Sequence, residues 1–435
     1  MAIVAAVAIL YVAVGLAYWL WVAYAAVRLR RDVPHLNNLR APDPAVWPRV
    51  SVVVAACNEA DKIEAAARTL LAQDYPDLEV VLVDDRSTDS TGAVIERLAA
   101  DDGRVRPIRL AHLPDGWIGK VHALARGLEA SRGQVVLFTD ADVHFRPAAL
   151  RKAVAWFEAR GLDHLAAFPR LWPTTPVLDA LIASFLVQEL IPAARPWAVA
   201  DPRSSAFMGI GAFNLVRRAA LEAAGGLEPL RLEVADDLGV GLLVKGSGGR
   251  SAVVSGGGLI EMHWYRSLGE AARGAEKAFA TIGRCRAWRT ALFGVLMAIL
   301  GLAPLLAPLA LFVDGLRPLG CVGLATMAAF LLASILISRW AGASALPALA
   351  IPLVAPLSAM VVLRAAVVGW RRGGLVWRGT LYRSEALLES QRVRVGQFLM
   401  GGRVAAGGCG AAAGDEAARP GTGGPPAATG EESRR

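Results

Sequence analysis

Cysteine is scarce in this sequence, and its spacing suits neither a disulfide framework nor a zinc site. The 435 residues contain four cysteines, which are scattered along the chain: Cys57, Cys285, Cys321 and Cys409. A stripe of lysine and arginine interleaved with aromatic residues is also lacking, so we do not interpret the net charge of +8 as a sign of nucleic-acid binding. The arginine excess instead lies beside apolar segments, which fits contact with anionic lipid headgroups.

Charge is missing from a long N-terminal segment. No charged residue occurs between Ala2 and Val27, and roughly 20 apolar residues are enough for a helix to cross a bilayer. Arg28, Arg30 and Arg31 follow at once, so the positive-inside rule places the next domain in the cytoplasm. We therefore expect residues 1–31 to anchor a multi-pass protein in the cell (inner) membrane. A cleavable signal peptide is the alternative.

Three more stretches without charge occupy the C-terminal part of the chain: Ala291 to Val313, Pro318 to Ser338, and Ala341 to Leu363. Each is long enough to span, so residues 290–370 are predicted to be a transmembrane region. Four simple crossings would leave the basic segment at 371–400 outside, against the positive-inside preference. The third stretch is rich in proline and could instead be re-entrant or broken, which leaves the number of crossings open. Residues 401–435, rich in glycine, alanine and proline, have the composition of a disordered tail.

Residues 48–289 separate these apolar parts and have the pattern of an α/β domain. An apolar strand at 50–55 precedes a polar turn at 57–61 and a helix that reaches Gln73, and a second strand follows at 79–83. Such alternation of strand and helix predicts a mostly parallel sheet.

Acidic residues follow two of the predicted strands directly. The strand at 79–83 ends in Asp84 and Asp85, and a later strand, "GQVVLFT", ends in Asp140 and Asp142 with one residue between them. Carboxylate oxygens are hard ligands that suit Mg²⁺ or Mn²⁺. A metal-held diphosphate at one pair and a base or ribose at the other would explain both pairs. Taken singly, either pair could only cap a helix.

In this order the motifs resemble those of the family 2 glycosyltransferases, over about residues 50–289. "VVVAACNEA" is similar to the family's opening strand and Asn-Glu turn, although Cys57 replaces the usual aromatic residue. "VLVDDRSTDST" resembles the nucleoside-binding segment, "GKVHALARGLEASRGQVVLFTDAD" the Gly-Lys loop and metal-binding DxD, "MGIGAFNLVRRAALEAAGGLEP" the acceptor-side segment, and "VADDLGVGLLVKGSG" the late acidic pair. The resemblance implies a nucleotide-sugar-binding GT-A fold and an inverting transfer, with a UDP-sugar as the expected donor.

The same resemblance implies roles for residues on the donor side. Those expected to line the nucleoside pocket are Asn58, Glu59, Asp84 and Asp85. Asp140 and Asp142 would hold the metal that bridges the diphosphate. Lys120 is a candidate phosphate contact, and a solvated surface charge is its alternative.

On the acceptor side, Asp237 is expected to be the general base, with Asp236 beside it where the family has Glu. Direct displacement by a hydroxyl needs a carboxylate within hydrogen-bond reach, and no covalent nucleophile. The two residues would also suit the first turn of a helix, where negative charge is favourable.

Two later segments bear on the subfamily. "SLGEAARGAEKAFATIGRCRAW" is amphipathic and basic, with Lys277 among its cations, and is expected to be an interfacial helix. Its "RCRAW" does not match the Gln-x-x-Arg-Trp motif of processive synthases. "LPDGWIGK" and "WRGTLY" are most similar to bacterial membrane glycosyltransferases of the hopene-associated kind, related to ceramide glucosyltransferases. Trp377, Arg378 and Tyr382 are expected at the membrane surface near the acceptor.

The sequence therefore predicts a membrane-bound transferase that moves a sugar from a nucleotide-sugar to a lipid or lipid-linked hydroxyl. One alternative is a transferase that acts on a polyprenyl phosphate, for which the late acidic pair would be more dispensable. A non-catalytic nucleotide-binding subunit of a membrane synthase complex is another. Retention of all the acids at 140, 142 and 237 argues against that second alternative.

Overall fold

A computed structural model of the chain describes residues 2–393. The predicted tail at 401–435 and the end of the predicted basic segment lie outside these residues.

The strands are, in chain order, β1 (Val50–Ala56), β2 (Leu78–Asp85), β3 (Val105–Leu110), β4 (Val135–Thr139), β5 (His144–Phe145), β6 (His164–Phe168), β7 (Arg170–Leu171), β8 (Asn214–Arg217), β9 (Ser251–Ser255), β10 (Ile260–Met262), β11 (Gly374–Trp377) and β12 (Thr380–Arg383).

The helices are α1 (Ala2–Asp32), α2 (Ile63–Leu71), α3 (Thr91–Asp101), α4 (Gly119–Ala130), α5 (Ala149–Ala159), α6 (Pro176–Ser184), α7 (Ile191–Ala194), α8 (Arg218–Ala223), α9 (Asp236–Gly246), α10 (Leu268–Gly274), α11 (Lys277–Thr281), α12 (Ala287–Leu306), α13 (Arg317–Trp340), α14 (Leu346–Leu349), α15 (Ile351–Arg372) and α16 (Ser384–Ser390).

A seven-stranded sheet forms the centre of the α/β domain, in the order β3-β2-β1-β4-β8-β6-β9. Only β8 runs antiparallel to its neighbours in this sheet, so the predicted mostly parallel α/β architecture is confirmed. The edge strand β3 was not predicted, because Arg106 and Arg109 interrupt its apolar pattern. The strand that the sequence placed third is β4.

Helices cover both faces of this sheet. Val52 and Val54 of β1 pack in a cluster with residues of α2, α3 and α5. Val53 and Ala55 pack in a second cluster with residues of α4, α8 and α9. Alternate side chains of a strand point to opposite faces, and both faces are covered, so β1 is apolar at nearly every position.

Among the described residues, five helical segments are long and apolar enough to cross a membrane: Ile3–Asp32, Pro176–Ala198, Ala287–Phe312, Arg317–Trp340 and Ile351–Arg372. Four correspond to the predicted segments. The last begins ten residues later than the predicted start at Ala341, since a break at α14 precedes α15. It also includes Arg364, whose charge is paired with Glu276 at 2.8 Å.

The fifth segment, Pro176–Ala198, was not predicted because Asp179 and Glu189 interrupt its apolar run. It lies between β7 and β8, and β8 pairs with β6 in the central sheet. A single crossing would put paired strands on opposite sides of the bilayer, so this segment does not span the membrane once. It packs instead along α1, α14 and α15.

Gly127 provides a test of how α4 is packed on the sheet. A Cβ atom there would overlap Val53 of β1 and press on Val83 of β2, both buried. We expect Gly127→Ala to lower the free energy of unfolding by about 1–3 kcal/mol through overpacking. Thermal unfolding of the detergent-solubilised protein measures this change.

Gly103→Ala is the matched control, because no heavy atom lies within 4 Å of its added methyl group. The packing of α4 would be contradicted if both variants unfolded at the temperature of the wild type.

Candidate functional site

The carboxyl ends of β1, β2 and β4 meet at one edge of the sheet. Ala56 of β1 is paired with Asp84 of β2, and Val54 of β1 with Thr139 of β4. The turn at Asn58 and the acids that follow β2 and β4 therefore lie side by side, as the parallel arrangement predicts. Ligands of α/β proteins bind at such an edge.

Lys120 lies in the first turn of α4 and bridges two acids from distant parts of the chain. Its Nζ is 2.8 Å from Oδ1 of Asp140 and 3.2 Å from Oδ2 of Asp236. Burial lowers the pKa of Lys120, but the two carboxylates outweigh it and raise this pKa above its ordinary value. Burial raises the pKa of Asp140, yet Lys120 holds it below the usual range. Lys120 is thus an internal counter-ion and not a solvated surface charge.

Asp236 and Asp237 form the first turn of α9, as the helix-end interpretation predicts, and this position is compatible with a role in the site. Asp237 accepts hydrogen bonds from the backbone N–H of Gly211 at 3.0 Å and of Leu238 at 2.8 Å. Burial raises the pKa of Asp237, Asp236 adds to the rise, and Lys120 opposes it. The side chain is therefore fixed in place and is a stronger base than an exposed aspartate.

Gly211 connects Asp237 to Asp140 at the end of β4. Its carbonyl accepts the N–H of Asp140 at 3.1 Å, while its own N–H donates to Asp237. A Cβ atom at position 211 would lie 2.6 Å from Oδ2 of Asp140. The sequence analysis assigned the surrounding "MGIGAF" to the acceptor side but did not name Gly211. Its position within that motif was the feature that could have identified it.

Asp142 lies two residues beyond Asp140 and has no ion pair among the residues that the structure describes. Burial raises its pKa to about 6, with further contributions from Asp140 and Glu59. Glu59 is paired with Lys62 at 3.0 Å. Within residues 2–393 no group of three or more His, Cys, Asp or Glu side chains is arranged to hold a metal. Asp140 and Asp142 thus provide two protein ligands at most.

Asn58 and Asp84 hold the loop that follows β2. Oδ1 of Asn58 accepts the N–H of Thr88 at 2.8 Å, and Oδ1 of Asp84 accepts the N–H of Ser87 at 3.1 Å. Asn58 has φ of +57°, a left-handed conformation that Asn tolerates. In this structure both side chains therefore shape the expected nucleoside pocket.

Asp85 is fully buried and paired with two arginines. Arg86 Nε lies 2.8 Å from Oδ1, and Arg378 Nη1 lies 3.2 Å from Oδ2. Arg378 is in the turn of the β11–β12 hairpin, and Tyr382 of β12 accepts the N–H of Gly119 at 3.2 Å. The hairpin thus lies against Asp85, where the nucleoside pocket is expected, whereas the sequence analysis expected Arg378 and Tyr382 at the membrane surface near the acceptor.

Lys277, in α11, was expected in an interfacial helix, and sequence reasoning missed it as a site residue. Its Nζ lies 3.9 Å from the centroid of the Trp377 ring, at the end of β11. Burial and Lys120 lower the pKa of Lys277, while Asp236, Asp237 and Asp140 raise it. The ammonium is therefore within electrostatic range of the same acids as Lys120. In the sequence, a lysine in an amphipathic and basic segment does not indicate that it will lie near the acids of the site.

Comparison with known proteins gives a family match for part of this domain. Residues 51–223 match the model for glycosyl transferase family 2. The succinoglycan biosynthesis protein ExoO of Rhizobium meliloti is 40% identical over 114 residues, which cover 26% of this chain and 31% of that protein. A beta-monoglucosyldiacylglycerol synthase of Synechocystis is 31% identical over 166 residues, 34% of each chain. The chain spans about a third of the length of such curated relatives.

One solved structure with a similar course of the chain is a mannosyltransferase from Pyrobaculum calidifontis in complex with GDP-Man and Mn²⁺. It is 21% identical, with a TM-score of 0.48 over 85% of this chain and 97% of that one. Residues 51–223 are thus similar to the glycosyl transferase family 2 model, and they contribute most strands of a mostly parallel α/β sheet, the arrangement expected of a GT-A fold.

Proposed function

We propose that this protein is a membrane-bound, inverting glycosyltransferase that moves a sugar from a nucleotide-sugar to a lipid or lipid-linked hydroxyl. One observation carries the proposal: Lys120 joins Asp140, at the end of β4, to Asp236, so that a diphosphate-side acid and the candidate base Asp237 share one pocket. A transferase needs its leaving group and its acceptor base within the length of one sugar ring.

Asp237 is the proposed general base. The acceptor oxygen attacks the anomeric carbon, and its proton passes to a carboxylate oxygen of Asp237. The bond between the anomeric carbon and the diphosphate oxygen breaks on the opposite face, and both electrons leave with the nucleoside diphosphate. Hydrogen bonds from Gly211 and Leu238 orient the carboxylate of Asp237, and the raised pKa of Asp237 favours proton uptake.

Asp140 and Asp142 are the proposed ligands of Mg²⁺ or Mn²⁺. The residues fit a cation, because Asp142 is partly buried beside Asp140 and Glu59 and has no cationic partner within the described part of the chain. With two protein carboxylates, the remaining ligands would be diphosphate oxygens and water. A bound cation would offset the negative charge that develops on the leaving diphosphate.

The nucleoside of the donor is proposed to bind beside β1 and β2. Asn58, Glu59, Asp84 and Asp85 surround that edge, and a UDP-sugar is the donor we expect. Because Asp85 is paired with Arg378 in this structure, a ribose or base that binds Asp85 would share it with the hairpin.

Three observations support a lipid acceptor at the cytoplasmic face of the inner membrane. The apolar segment Pro176–Ala198 leads through residues 199–210 to Gly211, which binds Asp237. The arginines that follow α1 favour a cytoplasmic domain. Two similar proteins are named for lipid products or acceptors, a beta-monoglucosyldiacylglycerol synthase and an undecaprenol-linked glucosyltransferase of Campylobacter jejuni. The hopene-associated subfamily remains our finer proposal.

Donor hydrolysis tests the activity directly. Purified protein in detergent is incubated with UDP-, GDP- and dTDP-sugars and Mn²⁺ or Mg²⁺. We expect metal-dependent release of one nucleoside diphosphate, and its loss in Asp142→Ala. If no nucleotide is turned over or bound, the enzyme proposal fails and the non-catalytic subunit becomes the better interpretation.

Removal of the base separates hydroxyl from phosphate acceptors. We expect Asp237→Asn to lower kcat by roughly 10²- to 10⁴-fold with a hydroxyl acceptor, while donor affinity stays within a few-fold. Steady-state kinetics with lipid extracts measure this loss, with Asp101→Asn at the exposed end of α3 as the control. An unchanged kcat would exclude the base role and favour a polyprenyl phosphate acceptor.

The pKa of Asp142 predicts a pH-dependent stability of the metal-free protein. A carboxyl whose pKa rises from 3.8 to about 6 on folding stabilises the protein below about pH 4, and that contribution is lost as the pH rises through 6. At roughly 1.4 kcal/mol per pKa unit, we expect Asp142→Asn to stabilise the fold by about 2–3 kcal/mol at pH 8 and not at pH 4.

Thermal unfolding between pH 4 and pH 8 measures this gain, with Asp101→Asn again as the control. Mn²⁺ is expected to raise the Tm of the wild type and not of Asp142→Asn. An equal rise in both would remove Asp142 from the proposed metal site.

A further inference from the structure

Lys277 is a half-buried cation without an acceptor. Within residues 2–393 its ammonium makes no hydrogen bond and no ion pair, and its contact is the face of Trp377 at 3.9 Å. A cation–π contact holds an ammonium in place but leaves its N–H donors unused. Burial of such donors costs free energy unless they have a hydrogen-bond acceptor. A bound ligand could supply that acceptor.

The other cations near the acidic edge already have carboxylate partners. Lys120 is shared between Asp140 and Asp236, and Arg378 binds Asp85. Lys62 pairs with Glu59, and Arg86 with Asp85. Among these described cations, Lys277 is therefore the one whose hydrogen-bonding capacity is free for a ligand.

The surroundings of Lys277 are held firmly against the catalytic domain. Trp377 ends β11, and the hairpin that contains it is attached to the N-terminus of α4 by the bond between Tyr382 and Gly119. That attachment lies one residue from Lys120. The ammonium consequently lies in the same electrostatic environment as Lys120, which Asp140, Asp236 and Asp237 create.

We propose that Lys277, positioned by the ring of Trp377, binds the β-phosphate of the nucleotide-sugar and of the leaving nucleoside diphosphate. This inference rests on the proposed function, and it names a contact from a segment beyond the family-matched residues 51–223. The β-phosphate is chosen because it carries the oxygen that leaves the anomeric carbon, which must lie near Asp237. The nucleoside and α-phosphate extend toward Asp85.

Lys277 acts by charge in this arrangement and keeps its proton throughout. When the anomeric carbon–oxygen bond breaks, both electrons remain on the β-phosphate oxygen, and a charge-assisted hydrogen bond from the ammonium strengthens as that charge grows. Removing the ammonium should therefore weaken diphosphate binding and leave binding of the nucleoside part almost unchanged.

The test compares nucleoside diphosphate with the matching monophosphate. Isothermal titration calorimetry on the full-length protein in detergent first identifies which of UDP, GDP and dTDP binds to the wild type, in the presence of Mn²⁺. We then expect Lys277→Met to lower the affinity for that diphosphate by about 10- to 100-fold. The affinity for the monophosphate should stay within a factor of two.

Lys152→Met is the matched control, since Lys152 is on α5 and its ammonium donates to the backbone carbonyl of Asn37, away from the pocket. It should bind both nucleotides as the wild type does. If Lys277→Met binds the diphosphate with wild-type affinity, or loses both nucleotides equally, the inference is overturned while the proposed function stands. A wild type that binds none of the three diphosphates overturns both.

If Lys277→Met does not fold, Lys277→Arg replaces it. This variant retains the charge and is expected to keep the preference for diphosphate over monophosphate. Loss of that preference with monophosphate binding intact would overturn the inference.

Discussion

Asp140, Asp236 and Asp237 lie close together in one pocket, and the ammonium of Lys120 is what allows this. Like charges at such distances raise one another's pKa values and oppose ionisation. Lys120 contacts Asp140 and Asp236 directly, so these two acids have a counter-ion. Asp237 is left with a raised pKa, which a general base requires and a helix-capping aspartate does not.

The pocket also depends on backbone that can approach these acids closely. Gly211 receives the N–H of Asp140 and donates to Asp237, and a side chain there would displace Asp140. Gly209 has the same function beside the backbone of Asp237, where a methyl group would overlap the carbonyl. The two glycines thus allow Asp140 and Asp237 to lie close to the same stretch of backbone.

The apolar helices do more than anchor the domain. Trp19 of α1 donates to the carbonyl of Leu300 in α12, and Trp340 at the end of α13 donates to the carbonyl of Val33. After α15 the chain returns as the β11–β12 hairpin and reaches Asp85 and Gly119. The end of the apolar helical region is therefore connected to the edge where the donor is proposed to bind, and it adds contacts there that residues 51–223 do not provide.

The sequence alone determined the mostly parallel sheet, four of the five apolar segments and the acids at the strand ends, because period, length and strand position depend on neighbouring residues. It missed β3 and Pro176–Ala198, since charged residues interrupt both patterns. Only the tertiary structure decided that Lys120 joins two acids, that Arg378 pairs with Asp85 and that Lys277 lies against Trp377. These partners are separated by as many as 293 residues, and charge pairing over such separations depends on how helices and strands pack, which no local pattern encodes.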